Sequence, residues 1–260
     1  MNPDTNPAAA RTVSFQIKRQ DAIEKPAYWE QFSVPYKPNL NVISCLQWIA
    51  EHPVTAQGKA VTPVVWECNC LEEVCGACTM LINGRVRQSC SALVDALLAE
   101  GPVIKLEPMS KFPVVRDLMV DRQRMFGTLI ALKGWVPIDG THNLGQGPAE
   151  TPAQQDVRYN LSRCMTCGCC LEACPQFTLS NKFIGAAGFS QARYFNMHPT
   201  GRVLADERLA VLEGPGGITD CGNAQNCVRV CPKEIPLTES IAEIGRQTTI
   251  HALKTFFTGK

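Results

Sequence analysis

Fourteen of the 260 residues are cysteine, and most of them are grouped at short spacings. Five fall in the eleven residues from Cys164 to Cys174, and Pro175 follows directly. With Cys169 set aside, the run reads C-x2-C-x2-C-x3-C-P. Thiols two and three residues apart can close around one shared centre. The proline then turns the chain away, because its φ is fixed and it has no N–H. The run is too dense for one tetrahedral zinc. In a chain this long, such spacing points to metal rather than to a disulfide framework. A second run, Cys221 to Cys231 followed by Pro232, repeats the pattern.

This spacing is the iron–sulfur ligand run in which the fourth cysteine serves the neighbouring cluster. Aligned, Cys164, Cys167, Cys170 and Cys174-Pro175 match Cys221, Ala224, Cys227 and Cys231-Pro232. Ala224 is the one break, and a methyl group cannot ligate iron. The expected outcome is a [4Fe–4S] cluster on Cys164, Cys167, Cys170 and Cys231. Beside it a [3Fe–4S] cluster falls on Cys174, Cys221 and Cys227. The alternative for the second site is a labile [4Fe–4S] cluster with water or hydroxide at the open corner.

An earlier group, Cys70-x4-Cys75-x2-Cys78 with Cys90 downstream, has the plant-type [2Fe–2S] spacing. A flat two-iron cluster needs a loop of little bulk. Gly76 and Ala77 stand where backbone N–H groups can face the sulfurs. Asn83-Gly84 predicts a hairpin between strands 79–82 and 85–88, which returns Cys90 towards Cys78. Eleven cysteines are thereby assigned. Cys45, Cys68 and Cys169 remain as small buried hydrophobes or incidental thiols, with Cys68 near enough to replace Cys70.

The remaining pattern divides the chain into 1–110 and 111–260. Residues 1–10 read as a polar leader without the features of a signal peptide. Alternation predicts strands at 13–18, 29–34 and 103–107, and a short β-prone run at 64–67. Asn41 is placed to cap a helix over 42–52. These elements form a β-grasp sheet. After a hinge at 108–113, the spacing of Leu118, Met125, Leu129 and Leu132 predicts a helix within 114–135. Glycine and proline mark a surface loop at 136–156. Helices follow at 188–196, 205–213 and from Leu237 onward, before a basic tail. The fold class is α+β: a plant-type ferredoxin domain, then an α-helical bacterial-ferredoxin-like domain.

A net charge of +1 argues against nucleic-acid binding. No stretch of 18 apolar residues is long enough to span a membrane, so the chain is expected to stay in the cytoplasm. There is no Ser/His/Asp group and no GxGxxG ahead of a helix. Catalytic residues are therefore expected in a partner, and this chain reads as a wire.

The succession of three clusters resembles the iron–sulfur subunit of succinate dehydrogenase and fumarate reductase (respiratory complex II). The likeness rests on the three cysteine groups, on Pro113-Val114-Val115-Arg116-Asp117-Leu118, and on Lys182-Phe183-Ile184-Gly185. It implies an FAD-containing flavoprotein docked on the N-terminal domain, where succinate is oxidised. It also implies a membrane anchor under the C-terminal domain, where quinone is reduced. The [2Fe–2S] cluster then faces the flavin and the [3Fe–4S] cluster the quinone. The chain itself lies at the cytoplasmic face of the cell membrane. Two departures mark the quinone end. The tryptophan that follows the Cys-Pro pair in ubiquinone-linked relatives is absent from Gln176 to Asn181, and Gly222 replaces the family's histidine. The run Phe195 to Gly201 looks like menaquinone-linked relatives with haem-bearing anchors. His198 is a candidate proton relay there, against the plainer reading of a solvated turn histidine. Three alternatives are a fumarate reductase running in reverse, a free-standing multi-cluster ferredoxin carrier, and a zinc-structured interaction module.

Overall fold

The computed structural model describes residues 11–137 and 149–259. The expected leader at 1–10, much of the expected loop at 136–156 and the end of the basic tail lie outside the described residues. The chain forms two compact units, Met1–Asp121 and Arg122–Lys260.

The first unit opens with β1 (Thr12–Arg19) and β2 (Tyr28–Pro35), which pair antiparallel. Alternation sends Val13, Phe15 and Ile17 into the core. Helix α1 (Val42–Glu51) follows, capped by the Asn41 side chain, which accepts the Ser44 N–H at 2.8 Å. It buries Val42, Leu46 and Ile49. The β3 (Thr79–Ile82) and β4 (Arg85–Gln88) hairpin turns through Asn83 and Gly84, with φ of +50° and +74°. Two left-handed residues match the twist of a two-residue hairpin. Helix α2 (Val94–Glu100) leads to β5 (Val103–Glu107), which lies parallel to β1. The order β2-β1-β5-β3-β4 makes the mixed sheet expected of a β-grasp.

Residues 114–135 depart from the sequence reading. They form the short strands β6 (Val114–Arg116) and β7 (Met119–Val120), and only then α3 (Gln123–Ala131). The apolar spacing straddled a boundary. Leu118 belongs to the core of the first unit, whereas Met125 starts the buried face of a helix in the second. The expected hinge at 108–113 falls inside the first unit, with Met109 and Phe112 buried. Residues 64–67 form no strand; the Val65 N–H goes to the Asp117 carboxylate at 2.9 Å instead. Helix α2 was not foreseen, because Leu93 precedes it where a polar cap is the usual signal.

The second unit is helical. After α3 come α4 (Pro152–Ser162), α5 (Cys169–Glu172) and α6 (Gly185–Met197). Then follow a 3-10 turn, α7 (Ala205–Glu213), α8 (Asn226–Arg229) and the long α9 (Leu237–Thr258). A capping box from Thr151 and Gln154 starts α4 inside the expected loop. Helix α6 is the hub, packing against α4, α5 and α9. Its first eight residues, Gly185 to Ala192, are all buried. Small residues there let the neighbouring helices approach closely.

Candidate metal centres

In the first unit the 70–78 loop is shaped around sulfur. Leu71, Glu73 and Gly76 are left-handed, with φ of +62°, +55° and +75°. Such reversals turn successive N–H groups inward, as in an anion-binding nest. The N–H groups of Glu72, Val74 and Cys75 lie 3.4, 3.3 and 3.2 Å from the Cys70 sulfur. Those of Cys70 and Ala77 face the Cys75 sulfur, and that of Glu73 faces Cys90 at 3.3 Å. The amide of Ala77 thus does what the sequence suggested. Donation from Glu72 and Val74 pulls the Cys70 thiol down to about 7. Burial pushes Cys78 up to about 12. The hairpin places Cys78 and Cys90 together, the Ser89 N–H bonding the Cys78 carbonyl. Cys68 is exposed, yet feels the charges of Cys75, Cys90 and Cys70 after burial has raised it.

In the second unit, two recesses are lined by the late cysteine runs. The first is bounded by Cys164, Cys167, Cys169, Cys170 and Cys231, with Ala187 and Leu237 behind. The second is bounded by Cys174, Cys221 and Cys227, with Ala224 and Ile241. Each recess therefore draws one cysteine from the opposite run. The two runs also share a backbone. Thr166 and Asn223 have φ of +51° and +50°, and Gly168 and Gln225 have +88° and +57°. Each pair is followed by a four-residue helix, α5 or α8. Ala224 thus occupies the place in its loop that Cys167 occupies in the other.

Among the described residues no three His, Cys, Asp or Glu side chains converge as they would on a single metal ion. The thiols instead ring two separate recesses. Soft thiolate donors around a shared centre, with backbone N–H groups turned on the sulfurs, suit iron–sulfur clusters.

Some polar neighbours were missed in the sequence. Gln88 accepts from the Cys78 thiol at 3.6 Å. Burial raises the Cys164 thiol, and the buried Gln191 side chain acts against that rise. A polar residue inside the small, apolar stretch of α6 was the available signal. At Gly222 an added Cβ would come within 2.7 Å of the Gln176 amide. Gln176 thus covers the position of the absent histidine. His198 serves its own turn, its Nδ1 accepting the N–H groups of Thr200 and Gly201 at 3.1 Å each.

A β-grasp unit with one cysteine-lined loop and a helical unit with two thiol-lined recesses define a multi-centre iron–sulfur electron carrier. Residues 14–127 match the family of 2Fe-2S iron-sulfur cluster binding domains, and residues 160–235 that of 4Fe-4S dicluster domains. The succinate dehydrogenase iron-sulfur subunit of Bacillus subtilis (strain 168) is 55% identical over 247 residues, covering 95% of this chain and 96% of that protein. The fumarate reductase iron-sulfur subunit of Wolinella succinogenes is 28% identical over 236 residues, covering 90% of this chain and 94% of that one. A chain of the solved Mycobacterium smegmatis Sdh1 complex in the apo form shares the fold, with a TM-score of 0.75 at 21% identity, over 92% of this chain and 96% of that chain. The chain belongs to the family of succinate dehydrogenase and fumarate reductase iron–sulfur subunits, which transfer electrons through iron–sulfur clusters.

Proposed function

We propose that the chain is the electron-conducting subunit of a succinate:quinone oxidoreductase. In this reading, Cys70, Cys75, Cys78 and Cys90 hold [2Fe–2S]. Cys164, Cys167, Cys170 and Cys231 hold [4Fe–4S], and Cys174, Cys221 and Cys227 hold [3Fe–4S]. When bound, each cluster accepts and releases one electron at a potential set by its type and surroundings. The chain's own groups do the rest. N–H donors from 72–77 stabilise anionic sulfur, and burial keeps water from four of the ligands, Cys78, Cys90, Cys170 and Cys227.

The observation that carries the reading is the exchange of Cys174 and Cys231 between the two recesses, with Ala224 in a ligand's place. The partners follow from the family: an FAD flavoprotein on the first unit and a membrane anchor for the second. The chain is then peripheral, at the cytoplasmic face of the membrane. The lack of the ubiquinone-linked tryptophan from Gln176 to Asn181, Gly222 in place of the family's histidine, and the run Phe195 to Gly201 favour menaquinone and a haem-bearing anchor. The identity to a succinate dehydrogenase subunit, about twice that to the fumarate reductase subunits, favours succinate oxidation over the reverse.

The test is electron paramagnetic resonance of the oxidised complex. A near-isotropic [3Fe–4S] signal is expected, lost in C227S and converted towards [4Fe–4S] in A224C. No such signal in the native complex would overturn the reading, and a signal unmoved in A224C would overturn the placing of Ala224.

A further inference from the structure

A loop from Gln176 to Ile184 joins the Cys174-Pro175 pair to α6. Phe177 and Phe183 are buried near its two ends, and Thr178 to Lys182 are exposed between them. Gln176 and Phe183 line the recess of Cys174, Cys221 and Cys227, so the loop forms one wall of it. That wall is held from outside by a single cation. Arg124, in the first turn of α3, donates from Nη1 to the Thr178 carbonyl. Its Nη2 donates to Asn181 Oδ1 at 3.2 Å and to the Phe183 carbonyl at 3.1 Å. Its guanidinium also lies 3.9 Å from the centre of the Phe177 ring. The same Asn181 oxygen accepts the N–H groups of Thr178 and Phe183, both at 3.3 Å. The Asn181 amide donates in turn to the Gln176 carbonyl. Arg124 is thus linked, through one side chain, to the residue whose amide packs at Gly222. At the far end the Ile184 N–H reaches the Gly216 carbonyl at 2.8 Å.

We infer that Arg124 is a positioning residue for the [3Fe–4S] site: its guanidinium fixes the 176–183 loop as a wall of the recess and keeps water from the cluster on that side. The inference rests on the ligand sets proposed above. Three acceptors and an aromatic face converge on one planar fork, which a lysine ammonium cannot reproduce. An exposed loop with two apolar anchors opens readily unless such bonds hold it. Ala224 supplies no ligand at one corner, so the packing of the walls is what excludes water there.

The experiment is amide hydrogen exchange and pulsed paramagnetic resonance on the assembled complex with R124M and R124K. Exchange across 177–183 is expected to rise about tenfold in both variants, since each loses the fork. After transfer to deuterium oxide, the deuterium modulation on the [3Fe–4S] signal should deepen in both. That on the reduced [4Fe–4S] signal should not change. Unchanged [3Fe–4S] modulation in R124M overturns the inference. So does an equal rise at the [4Fe–4S] site, which would mean that the whole unit has loosened. Native behaviour in R124K also overturns it, because charge without the fork would then suffice. If R124M fails to assemble, N181A decides by the same measurements, for it leaves Arg124 in place and removes the shared acceptor. Modulation at its native depth in N181A overturns the inference. A native complex with no [3Fe–4S] signal refutes the ligand sets instead, and exchange across 177–183 then decides whether Arg124 holds the loop.

Discussion

Arg19 closes β1 with no exposed side-chain surface, on a strand whose other fully buried residues, Val13, Phe15 and Ile17, are apolar. Its Nε donates to Asp117 at 2.8 Å and its Nη1 to Glu30 at 2.7 Å. Burial alone would lower the guanidinium, but the hydrogen bond and charge of Asp117 hold it above its ordinary value. Asp117 also accepts the N–H groups of Gln20 and Val65, at 3.1 and 2.9 Å. One carboxylate thus ties β1, the segment leading to the Cys70 loop and the β6–β7 turn. R19M leaves that carboxylate buried with its cation gone, a loss of about 3–5 kcal/mol. The double variant R19M/D117L should not recover the loss, because it strands two backbone donors. Urea unfolding followed by circular dichroism measures both, and full recovery in the double variant would remove the bridging role. The cysteines were legible because ligand chemistry imposes short, fixed spacings. Arg19 and Asp117 were not, because they stand 98 residues apart and nothing local marks either as a partner.

At the scale of elements, periodicity served where one element met one core. Strands β1 and β5 and helix α7 stand where alternation and spacing placed them. It failed at 114–135, where apolar residues serve two cores in succession. It was also blind to polar packing. The buried Arg208 on α7 donates to the carbonyls of Leu132, Lys133 and Trp135 past the end of α3, and to that of Gly201. The turn at His198 depends on a neutral ring, since Nδ1 accepts from Thr200 and Gly201. Burial and the charge of Arg158 hold this histidine below its usual value. The unfolded chain therefore takes up the proton first. Its contribution is complete above about pH 6.5 and is lost as the pH falls from there through the lowered folded value. H198N keeps an acceptor that does not titrate. Thermal melts of the native chain should fall more steeply than those of H198N between about pH 7 and pH 5. Parallel curves would assign the acid sensitivity elsewhere.

At the scale of the whole molecule, the two units treat their metal sites differently. The first has a continuous apolar core drawn from β1, β2, β3, β5 and α1, and of its four proposed ligands only Cys78 and Cys90 belong to that core. Its Cys70 loop is an appendage to a sheet that closes without it. The second unit has its recesses among the helices themselves: Ala186 and Ala187 of α6, Leu237 and Ile241 of α9, and the ligand runs at α5 and α8 form their walls. There the centre of the packing is where the clusters bind, so metal affinity and folding are the same free energy. Iron removal should then act unequally. Amide hydrogen exchange on iron-depleted chain should speed up by about a hundredfold, roughly 3 kcal/mol, in α5, α6, α8 and the first turns of α9. Strands β1, β3 and β5 should keep most of their protection, with faster exchange confined to 70–78. Equal loss in both units would mean that the β-grasp core also depends on its cluster, and the apolar core of the first unit would then not be sufficient to hold its sheet.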